Sequence, residues 1–430
     1  MTVATQGVTP ARRAAFAVVQ RVFEEGAYAD RALHAQTRGL DGRERALAQQ
    51  LAFGTVQRVR TLDHVTERLA RHADRLDAGV RAALRLGLFQ LLLLDGVAEH
   101  AAVSQSVALA RATGSRGHGL VNAVLRRAAR EGRAIVDALG EATPREAALR
   151  HSLPDWLVGL WWEAYGPAEA RALMAAANRP AEHALRANAL VTTPDALRAA
   201  LPVAAHPSAQ PPEAVVVDEA FDAHGSPLWA QGAFTPQSRA SMLVSRMLDP
   251  RPGDRVLDLC AAPGGKTTHL AALMGDRGEV VAVERHAGRA AALGRTAARL
   301  RAASVRVTVA DAAAWTEGGF DRVLVDPPCS GLGTLSHRPD LRWRASPERI
   351  AALSAQQDAI LAAGAGALRP GGALVYSVCT LNPAEGPERV AALLRARPEL
   401  ALEAERTTRP HRDGTDGFSI ALVRHTGGDG

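Results

Sequence analysis

The stretch from Asp258 to Thr268 constrains the fold most, because it joins three kinds of local structure. Residues 255–257 form an apolar run, Pro263-Gly264-Gly265 follows, and an apolar helical pattern begins near His269. This order predicts a strand, a tight turn and the start of a helix. Glycines let a ligand approach the backbone, and helix N-termini offer unpaired N–H groups. The turn therefore predicts a ligand site, although a lone Gly-Gly pair also occurs in ordinary strand-to-helix turns.

The composition of this turn favours a nucleoside ligand without phosphates. It lacks the Gly-x-Gly-x-x-Gly spacing that seats the pyrophosphate of a dinucleotide. It also contains Lys266, the only lysine among 51 lysines and arginines in the chain. A compact ammonium on a thin stem fits a tight site that a guanidinium fork does not fit. Lys266 is therefore predicted to be functional rather than a lysine that survived by chance.

Length and composition predict a multidomain globular protein. The chain has 430 residues, too many for one ordinary core, and a net charge of +6, which permits a polyanionic partner. No apolar run is long enough to span a bilayer and no signal peptide is visible, so we expect a cytoplasmic protein without a membrane partner. Cys260, Cys329 and Cys379 lack the spacing of a disulfide framework or a metal site.

We predict three domains. Residues 8–132 have helical periodicity throughout, with an N-terminal capping box at Asp41 and Glu44 and a nearly all-apolar central helix over 80–94. Residues 133–233 are less regular and are predicted to be a connector or small RNA-recognition subdomain, with a strand at 184–188 and a surface loop at 202–212. Residues 234–426 alternate strands and helices. The arginines of the helix at 119–129 face either RNA or solvent.

Strand–helix alternation after residue 234 predicts a mostly parallel sheet covered by helices on both faces. Ligands in such sheets bind at the carboxyl ends of the strands. Several polar side chains follow strand ends and should therefore share one crevice. The predicted strands are 255–260, 279–284, 305–310, 322–325 and 373–378.

Two acidic residues at strand ends complete a predicted adenosine pocket. Glu284 ends the second strand at an offset from Gly264 that suits hydrogen bonds from ribose hydroxyls. Asp311 follows the third strand and can accept a hydrogen bond from an adenine amino group. Taken singly, each residue is better interpreted as a helix N-cap than as a ligand contact.

Two cysteines at the same crevice indicate methylation at C5 of a pyrimidine. Cys329 follows Asp326-Pro327-Pro328, and Cys379 ends another strand. A thiolate that adds to C6 makes C5 nucleophilic, an acid at N3 and the amino group stabilises the developing charge, and a base then removes the C5 proton. Acid-Pro-Pro sequences also occur in amine methyltransferases, which need no thiol. Either cysteine alone is more often a buried apolar residue.

Four motifs resemble the RNA cytosine-C5 methyltransferases of the NOL/NOP2/Sun family. They are Asp258–Thr267, Asp326–Thr334, Arg338–Trp343 and Tyr376–Thr380. Residues 8–132 resemble a NusB-like RNA-binding bundle through Ala11–Phe16, Phe53–Val56 and Gly119–Arg127. The combination is similar to the bacterial 16S rRNA (RsmB-like) group, which implies an all-α NusB-like bundle followed by an α/β Rossmann-like class I methyltransferase domain.

The resemblance also implies a cofactor, a partner and residue roles. S-adenosylmethionine is the expected methyl donor and RNA, specifically 16S rRNA, the expected partner of a monomeric enzyme. Cys379 is the expected nucleophile, Cys329 assists product release, Asp326 is catalytic, and Lys266 is the nearest candidate cation for the Cys379 thiolate. The expected donor-binding residues are Cys260, Ala261, Ala262, Pro263, Gly264, Gly265, Lys266, Glu284, Asp311 and Asp326.

Some positions depart from the family pattern, and other functions stay open. Glu284 stands where aspartate is common, Ser238 where the family often has aspartate, and Ser419 where a second aromatic is usual, so neither serine is assigned a role. The alternatives are the same chemistry on tRNA or another rRNA site, an inactive RNA-binding assembly factor, and an amine methyltransferase. Intact Asp326 and Cys379 argue against the second, and the paired cysteines against the third.

Overall fold

The computed structural model of the chain describes residues 7–219 and 221–427. It divides into two compact units. The first comprises the residues up to Pro180 together with Leu335–Arg344, and the second comprises Ala181–Thr334 and the residues from Ala345 onward. The division after Pro180 thus falls inside the segment 133–233. Across the described residues, no helix combines the length and the apolar character needed to cross a membrane.

The described part of the first unit that precedes Pro180 is helical, as predicted for residues 8–132. A short 3-10 helix lies at Ala73–Arg75, and α8 contains a kink at Gly166. The α-helices are α1 (Pro10–Glu24), α2 (Ala29–Gln36), α3 (Gly42–Leu69), α4 (Ala78–Leu92), α5 (Glu99–Ala112), α6 (His118–Asp137), α7 (Pro144–His151) and α8 (Asp155–Ala176).

Helix α4 lies in the core of this unit, as its apolar sequence predicts. A β-carbon on Gly54 of α3 would lie 2.0 Å from Cζ of Phe89, so the glycine lets this ring of α4 pack directly on the backbone of α3. The predicted capping box at the start of α3 forms only in part. Asp41 accepts a hydrogen bond from the Glu44 N–H, but the Glu44 carboxylate accepts one from Ala11 N–H at 2.7 Å.

The second unit begins with a four-stranded antiparallel sheet of strand order β2-β3-β1-β4. The predicted strand at 184–188 corresponds to β1. The predicted surface loop at 202–212 was wrong at its centre, where β2 pairs with β3 and forms the edge of the sheet. The elements are β1 (Ala184–Ala187), α9 (Pro194–Ala200), β2 (Ala205–Pro207), β3 (Ala214–Val217), α10 (Pro227–Ala230) and β4 (Phe234–Pro236).

The rest of the chain builds a seven-stranded sheet of order β10-β11-β9-β8-β5-β6-β7. A 3-10 helix lies at Ala312–Ala314, and α14 belongs to the first unit. The elements are α11 (Arg239–Leu248), β5 (Arg255–Asp258), α12 (Gly265–Leu273), β6 (Glu279–Glu284), α13 (Ala287–Arg299), β7 (Val305–Val309), β8 (Phe320–Val325), α14 (Leu341–Arg344), α15 (Pro347–Ala367), β9 (Leu368–Val378), α16 (Pro387–Ala396), β10 (Leu400–Thr408), α17 (Pro410–Asp413) and β11 (Phe418–His425).

The five predicted strands are β5 to β9, and they are parallel. Strands β10 and β11 were not predicted; they extend the sheet in antiparallel orientation beside β9. Because β5 lies between β6 and β8, the strand order reverses there. Ligands of such sheets bind where the order reverses, beyond the carboxyl ends of the strands. The turn after β5 and the loop after β8 begin at this point.

The segment Leu335–Arg344 is held in the helical unit by two side chains. The Arg342 guanidinium is fully buried, and burial lowers the pKa of this residue to about 9, so it remains charged at neutral pH. The Trp343 indole N–H donates to the Val56 carbonyl at 2.8 Å. Arg342 donates to the carbonyls of Gln57, Ser152 and Ala177 and to Oδ1 of Asn178.

Candidate active site

The turn between β5 and α12 requires glycine at its centre. Gly264 has a φ of +103°, in the left-handed region, and a β-carbon there would lie 2.5 Å from Cδ1 of Leu293 on α13. Its N–H donates to the Ala261 carbonyl at 2.8 Å. Helix α12 begins at the next residue, Gly265. The first N–H groups of this helix lack intrahelical acceptors and are available to a ligand beyond the end of β5.

Lys266 and Asp326, which the sequence assigns to one crevice, form a close ion pair. Nζ of Lys266 lies 2.7 Å from Oδ2 of Asp326, and the other carboxylate oxygen accepts a hydrogen bond from Ser377 Oγ at 2.7 Å. Burial opposes the charge on Lys266, but the charges of Asp326 and Cys379 outweigh it and raise the lysine pKa. The ammonium is therefore charged at neutral pH, and the carboxylate is held from two sides.

Glu284 and Asp311 follow the ends of neighbouring strands. Glu284 is buried and pairs with Val309 in the register of β6 and β7. Asp311 follows Val309 by two residues. Oε1 of Glu284 accepts the His286 N–H at 2.9 Å, and Oε2 lies 3.2 Å from Nη1 of Arg289. Asp311 caps the 3-10 helix through the Ala313 N–H at 3.1 Å. Both acids therefore make local backbone contacts of the kind considered from sequence, and Glu284 has an additional cationic partner.

Burial changes the protonation of two further groups at the end of β5. It raises the pKa of Asp258 to about 7, although Thr267 Oγ1 donates a hydrogen bond to its carboxylate at 2.7 Å. Burial also raises the pKa of Cys260, and the neighbouring carboxylates Asp258, Asp326 and Glu284 raise it further. The Cys260 thiol is therefore neutral at physiological pH. It can contact a ligand but is a poor nucleophile.

The other two cysteines form a close pair. Sγ of Cys329, in the loop after β8, lies 3.3 Å from Sγ of Cys379, which follows β9. The hydrogen bond to Cys379 raises the pKa of Cys329 well above its usual value, and burial and the charges of Cys379, Glu385 and Asp326 add to this effect. Either sulfur can donate the S–H of this contact, and the raised pKa of Cys329 favours its protonated thiol form at neutral pH.

A buried network around Glu385, which the sequence did not predict, joins the two cysteine loops. Glu385 accepts hydrogen bonds from the Ser330 N–H at 2.8 Å, from the Ser330 hydroxyl and from the Gln357 amide at 3.2 Å. The Tyr376 hydroxyl donates to the Glu385 carbonyl at 2.7 Å. The N–H of Gly333 donates to the Cys379 carbonyl at 3.0 Å. These bonds fix the backbone on both sides of the thiol pair. A lone acid in a turn, such as Glu385, gives no sequence signal of this contact.

The positions that departed from the family pattern have structural explanations. Ser238 caps α11 by accepting the Ser241 N–H. Ser419 lies on β11 opposite Val378, and its Oγ would be 2.8 Å from a β-carbon on Gly386. A side chain larger than serine would meet this backbone. The neighbouring Phe418 ring lies 5.3 Å from Nζ of Lys266.

Together these elements define an α/β methyltransferase of the class I type. A parallel sheet with a reversal of strand order carries a glycine turn, a buried acid on the next strand, and two thiols beside an ion pair. The chemistry of the donor set fits a nucleoside with a cationic sulfur. The N-terminus of α12, the Glu284 carboxylate and the glycine turn can bind the adenosine and amino-acid parts, and the site contains carboxylates that can balance the positive charge.

Comparison with known proteins agrees with this class. The family profile described as 16S rRNA methyltransferase RsmB/F matches residues 245–424, that of the NusB family matches residues 9–130, and the ferredoxin-like domain of RsmF/B-type methyltransferases matches residues 153–224. The chain is 36% identical to a probable ribosomal RNA small subunit methyltransferase B of Synechocystis, over 98% of this chain and 97% of the relative. It is 34% identical to ribosomal RNA small subunit methyltransferase B of Pseudomonas putida, over 96% and 98%.

Solved structures show the same fold. The crystal structure of PH0851 superposes with a TM-score of 0.81 and 25% identity, covering 97% of this chain and 99% of that one. The structure of NSun6 from Pyrococcus horikoshii with SFG has a TM-score of 0.60 at 23% identity, covering 64% and 99%. The chain belongs to the 16S rRNA methyltransferase RsmB/F family. The methyl donor of this family is S-adenosylmethionine.

Proposed function

We propose that this protein methylates C5 of a cytosine in 16S rRNA through a covalent bond between Cys379 and C6 of the base. The observation that carries the proposal is the thiol pair, because Sγ of Cys329 and Sγ of Cys379 are only 3.3 Å apart. Amine methylation needs no thiol at all. Two thiols beside a carboxylate suit a reaction in which one adds to the ring and the other acts later.

The proposed roles follow from the contacts of each side chain. S-adenosylmethionine supplies an electrophilic methyl group when bound. When Cys379 is the thiolate that attacks C6, the S–H of Cys329 at 3.3 Å can donate to it and stabilise it. Asp326, held by Lys266 and Ser377, is oriented to stabilise the charge that develops at N3 and the amino group. After methyl transfer a base accepts the C5 proton while the bond between C6 and Cys379 breaks and Cys379 leaves as a thiolate, and Cys329, 3.3 Å from Cys379, is proposed to assist this release of the product.

The remaining site residues are proposed to bind the methyl donor. The turn Cys260–Lys266 and Asp326 face the reversal of strand order, Glu284 suits the ribose hydroxyls, and Asp311 suits the adenine amino group. The target base must leave its stack to reach the thiols, so we expect the substrate cytosine in a loop or accessible strand of the RNA.

Bisulfite sequencing of ribosomal RNA tests the proposed function. In a strain that lacks the gene, we expect one cytosine of 16S rRNA to lose its protection from conversion. The wild-type gene should restore this protection, and a Cys379→Ala gene should not. An unchanged 16S pattern would contradict the proposal, and a lost signal in tRNA or another rRNA would transfer the same chemistry to that substrate.

Helix α6 is proposed to contribute to RNA affinity through exposed arginines. Arg127 is paired with Glu131 at 2.9 Å, whereas Arg126 bonds the Asn122 amide oxygen and Arg130 the Arg126 carbonyl, so the charges of these two are not neutralised by those contacts. Replacing all three by glutamine should weaken RNA binding and reduce the steepness of log affinity against log salt by about 2. The reason is that fewer phosphate contacts form, so that fewer counterions are released on binding.

Fluorescence anisotropy with a 16S rRNA fragment at several salt concentrations would measure this slope. A control with the same charge change replaces three exposed arginines of the second unit, Arg198, Arg277 and Arg395, by glutamine. The control should keep a slope closer to that of the wild-type protein. Equal slopes for both triple variants would mean that the α6 arginines form a solvent-exposed face and do not contact RNA.

A further inference from the structure

Arg186 links the small four-stranded sheet to the glycine turn. It lies on β1, is 1% exposed, and its guanidinium donates to Oγ1 of Thr268 at 2.9 Å and to the Gly265 carbonyl. It also donates to Oε1 of Gln237 at 2.6 Å. Burial lowers the pKa of Arg186 to about 9, so the side chain is charged at neutral pH. A fully buried charge is rare and needs hydrogen-bond partners; here both Nη groups are bonded, whereas Nε has no partner among the described residues.

The contacts of Arg186 hold the carbonyl groups of both glycines. Gly265 is bonded directly, and Gly264 is bonded by Thr268 Oγ1 at 2.7 Å, the same hydroxyl that accepts from Arg186. With the carbonyls fixed on the side of β1, the N–H groups at the start of α12 keep one orientation. Lys266, which follows these glycines, is paired with Asp326. The guanidinium therefore restrains the Gly265 carbonyl directly and the Gly264 carbonyl through the Thr268 hydroxyl, in addition to the Thr268 N–H that donates to Gly264 at 3.0 Å.

A second buried contact links the same subdomain to α12 at His269, the residue that follows Thr268. Nε2 of His269 lies 2.8 Å from Oε1 of Glu213, which immediately precedes β3, and Arg246 of α11 lies 2.7 Å from the other carboxylate oxygen. Burial and the charge of Arg186 lower the pKa of His269 to about 4, so the imidazole is neutral at physiological pH. The sheet thus contacts α12 at two successive positions, Thr268 and His269.

We propose that Arg186 is a positioning residue for the methyl donor. Its guanidinium holds the Gly264–Gly265 turn in the conformation that binds S-adenosylmethionine, and the small sheet is thereby part of the donor site rather than a connector. The proposal rests on the assignment of the turn to donor binding in the proposed function. It does not depend on which atom of the RNA receives the methyl group.

Calorimetry with S-adenosylmethionine and the full-length protein tests the proposal without any methyl transfer. Arg186→Gln should raise the dissociation constant of the donor by about 10- to 100-fold, because several charge-assisted hydrogen bonds to the turn are lost. Arg186→Lys keeps the charge and one donor and should recover part of the affinity. The matched control is Arg198→Gln, which removes an exposed arginine of α9 in the same subdomain and should leave the dissociation constant unchanged.

Two further measurements separate positioning from general stability. For each variant that folds with a thermal midpoint near that of the wild-type protein, KM for the donor should rise while kcat at saturating donor stays within about threefold and RNA affinity is unchanged. Thr268→Val, which removes only the hydroxyl between Arg186 and Gly264, should raise the dissociation constant by several-fold. If Arg186→Gln does not fold, the donor dissociation constants of Arg186→Lys and Thr268→Val test the proposal.

Donor affinities within twofold of wild type in the folded variants would overturn the proposal. A different result would contradict the proposed function. A wild-type protein that binds the donor but methylates another atom would contradict cytosine-C5 chemistry, while the effect of Arg186 on the dissociation constant would stand.

Discussion

A Cys379→Ala variant is expected to transfer no methyl group and to form no covalent complex with RNA, whereas Cys329→Ala is expected to accumulate such a complex. Loss of the nucleophile should reduce the rate by about 10⁴-fold or more, as for other enzymes with covalent intermediates. The contact with Cys379 and burial raise the pKa of Cys329, so this thiol is a poor nucleophile at neutral pH. Its removal should therefore spare the first bond to C6 and impair release of the product.

A denaturing gel of each variant, incubated with target RNA and S-adenosylmethionine, measures the complex directly. We expect a slowly migrating band for Cys329→Ala and none for Cys379→Ala. The double variant Cys329→Ala/Cys379→Ala should also show none, which excludes Cys260 as the attached residue. The opposite pattern would exchange the roles of the two thiols. No band in any variant would leave the covalent route without support and favour amine methylation again.

An Asp326→Asn variant is expected to lose about 10² to 10³-fold in the rate of methyl transfer, because a preorganised charge next to the reacting base is removed. The substitution also leaves the buried Lys266 ammonium without its partner at 2.7 Å. Burial then acts without the opposing charge of Asp326, so the pKa of Lys266 should fall from its raised value. Ser377→Ala removes one hydrogen bond to the same carboxylate and should cost about tenfold.

Single-turnover rates at saturating RNA and donor would measure both losses. Asp321→Asn is a suitable control, because Asp321 lies near the other end of β8 and contacts Arg255 and Arg369 instead. It should change stability more than the rate. A rate for Asp326→Asn within about tenfold of wild type would mean that the carboxylate does not act on the developing charge.

The sequence alone was sufficient to assign the two cysteines to one crevice, because hydrophobic periodicity identifies the strands that they follow. Strands β5 to β9 are recognisable as apolar runs between helices, and parallel strands place their carboxyl ends at one edge. Residues that follow strand ends, such as Asp326 and Cys379, are therefore assigned to one crevice without any knowledge of distances. The same reasoning predicts that Lys266 and Asp326 lie close together. It does not predict their ion pair, because the spacing of residues along the chain does not determine side-chain geometry.

Contacts between distant segments were not predictable in this way. The strand that contains Arg186 was identified, but a charged residue is expected to be exposed, so its burial against Thr268 was missed. The motif that contains Arg342 was assigned by resemblance to the methyltransferase, although its side chain is buried in the helical unit. Strand β10 has the alanine and glutamate content of a helix, and pairing with β11 overrides that propensity.

The discontinuity of the helical unit has a consequence for synthesis on the ribosome. Its helices α1 to α8 are translated first, but Arg342 and Trp343 become available only after β8 has been made. Until then, the carbonyls of Gln57, Ala177 and Val56 lack the donors that they bond in the finished protein. A nascent chain that stops after Thr334 therefore lacks the buried contacts that Arg342 and Trp343 make with the bundle. The helical unit can therefore be completed only after strands β1 to β8 have been translated.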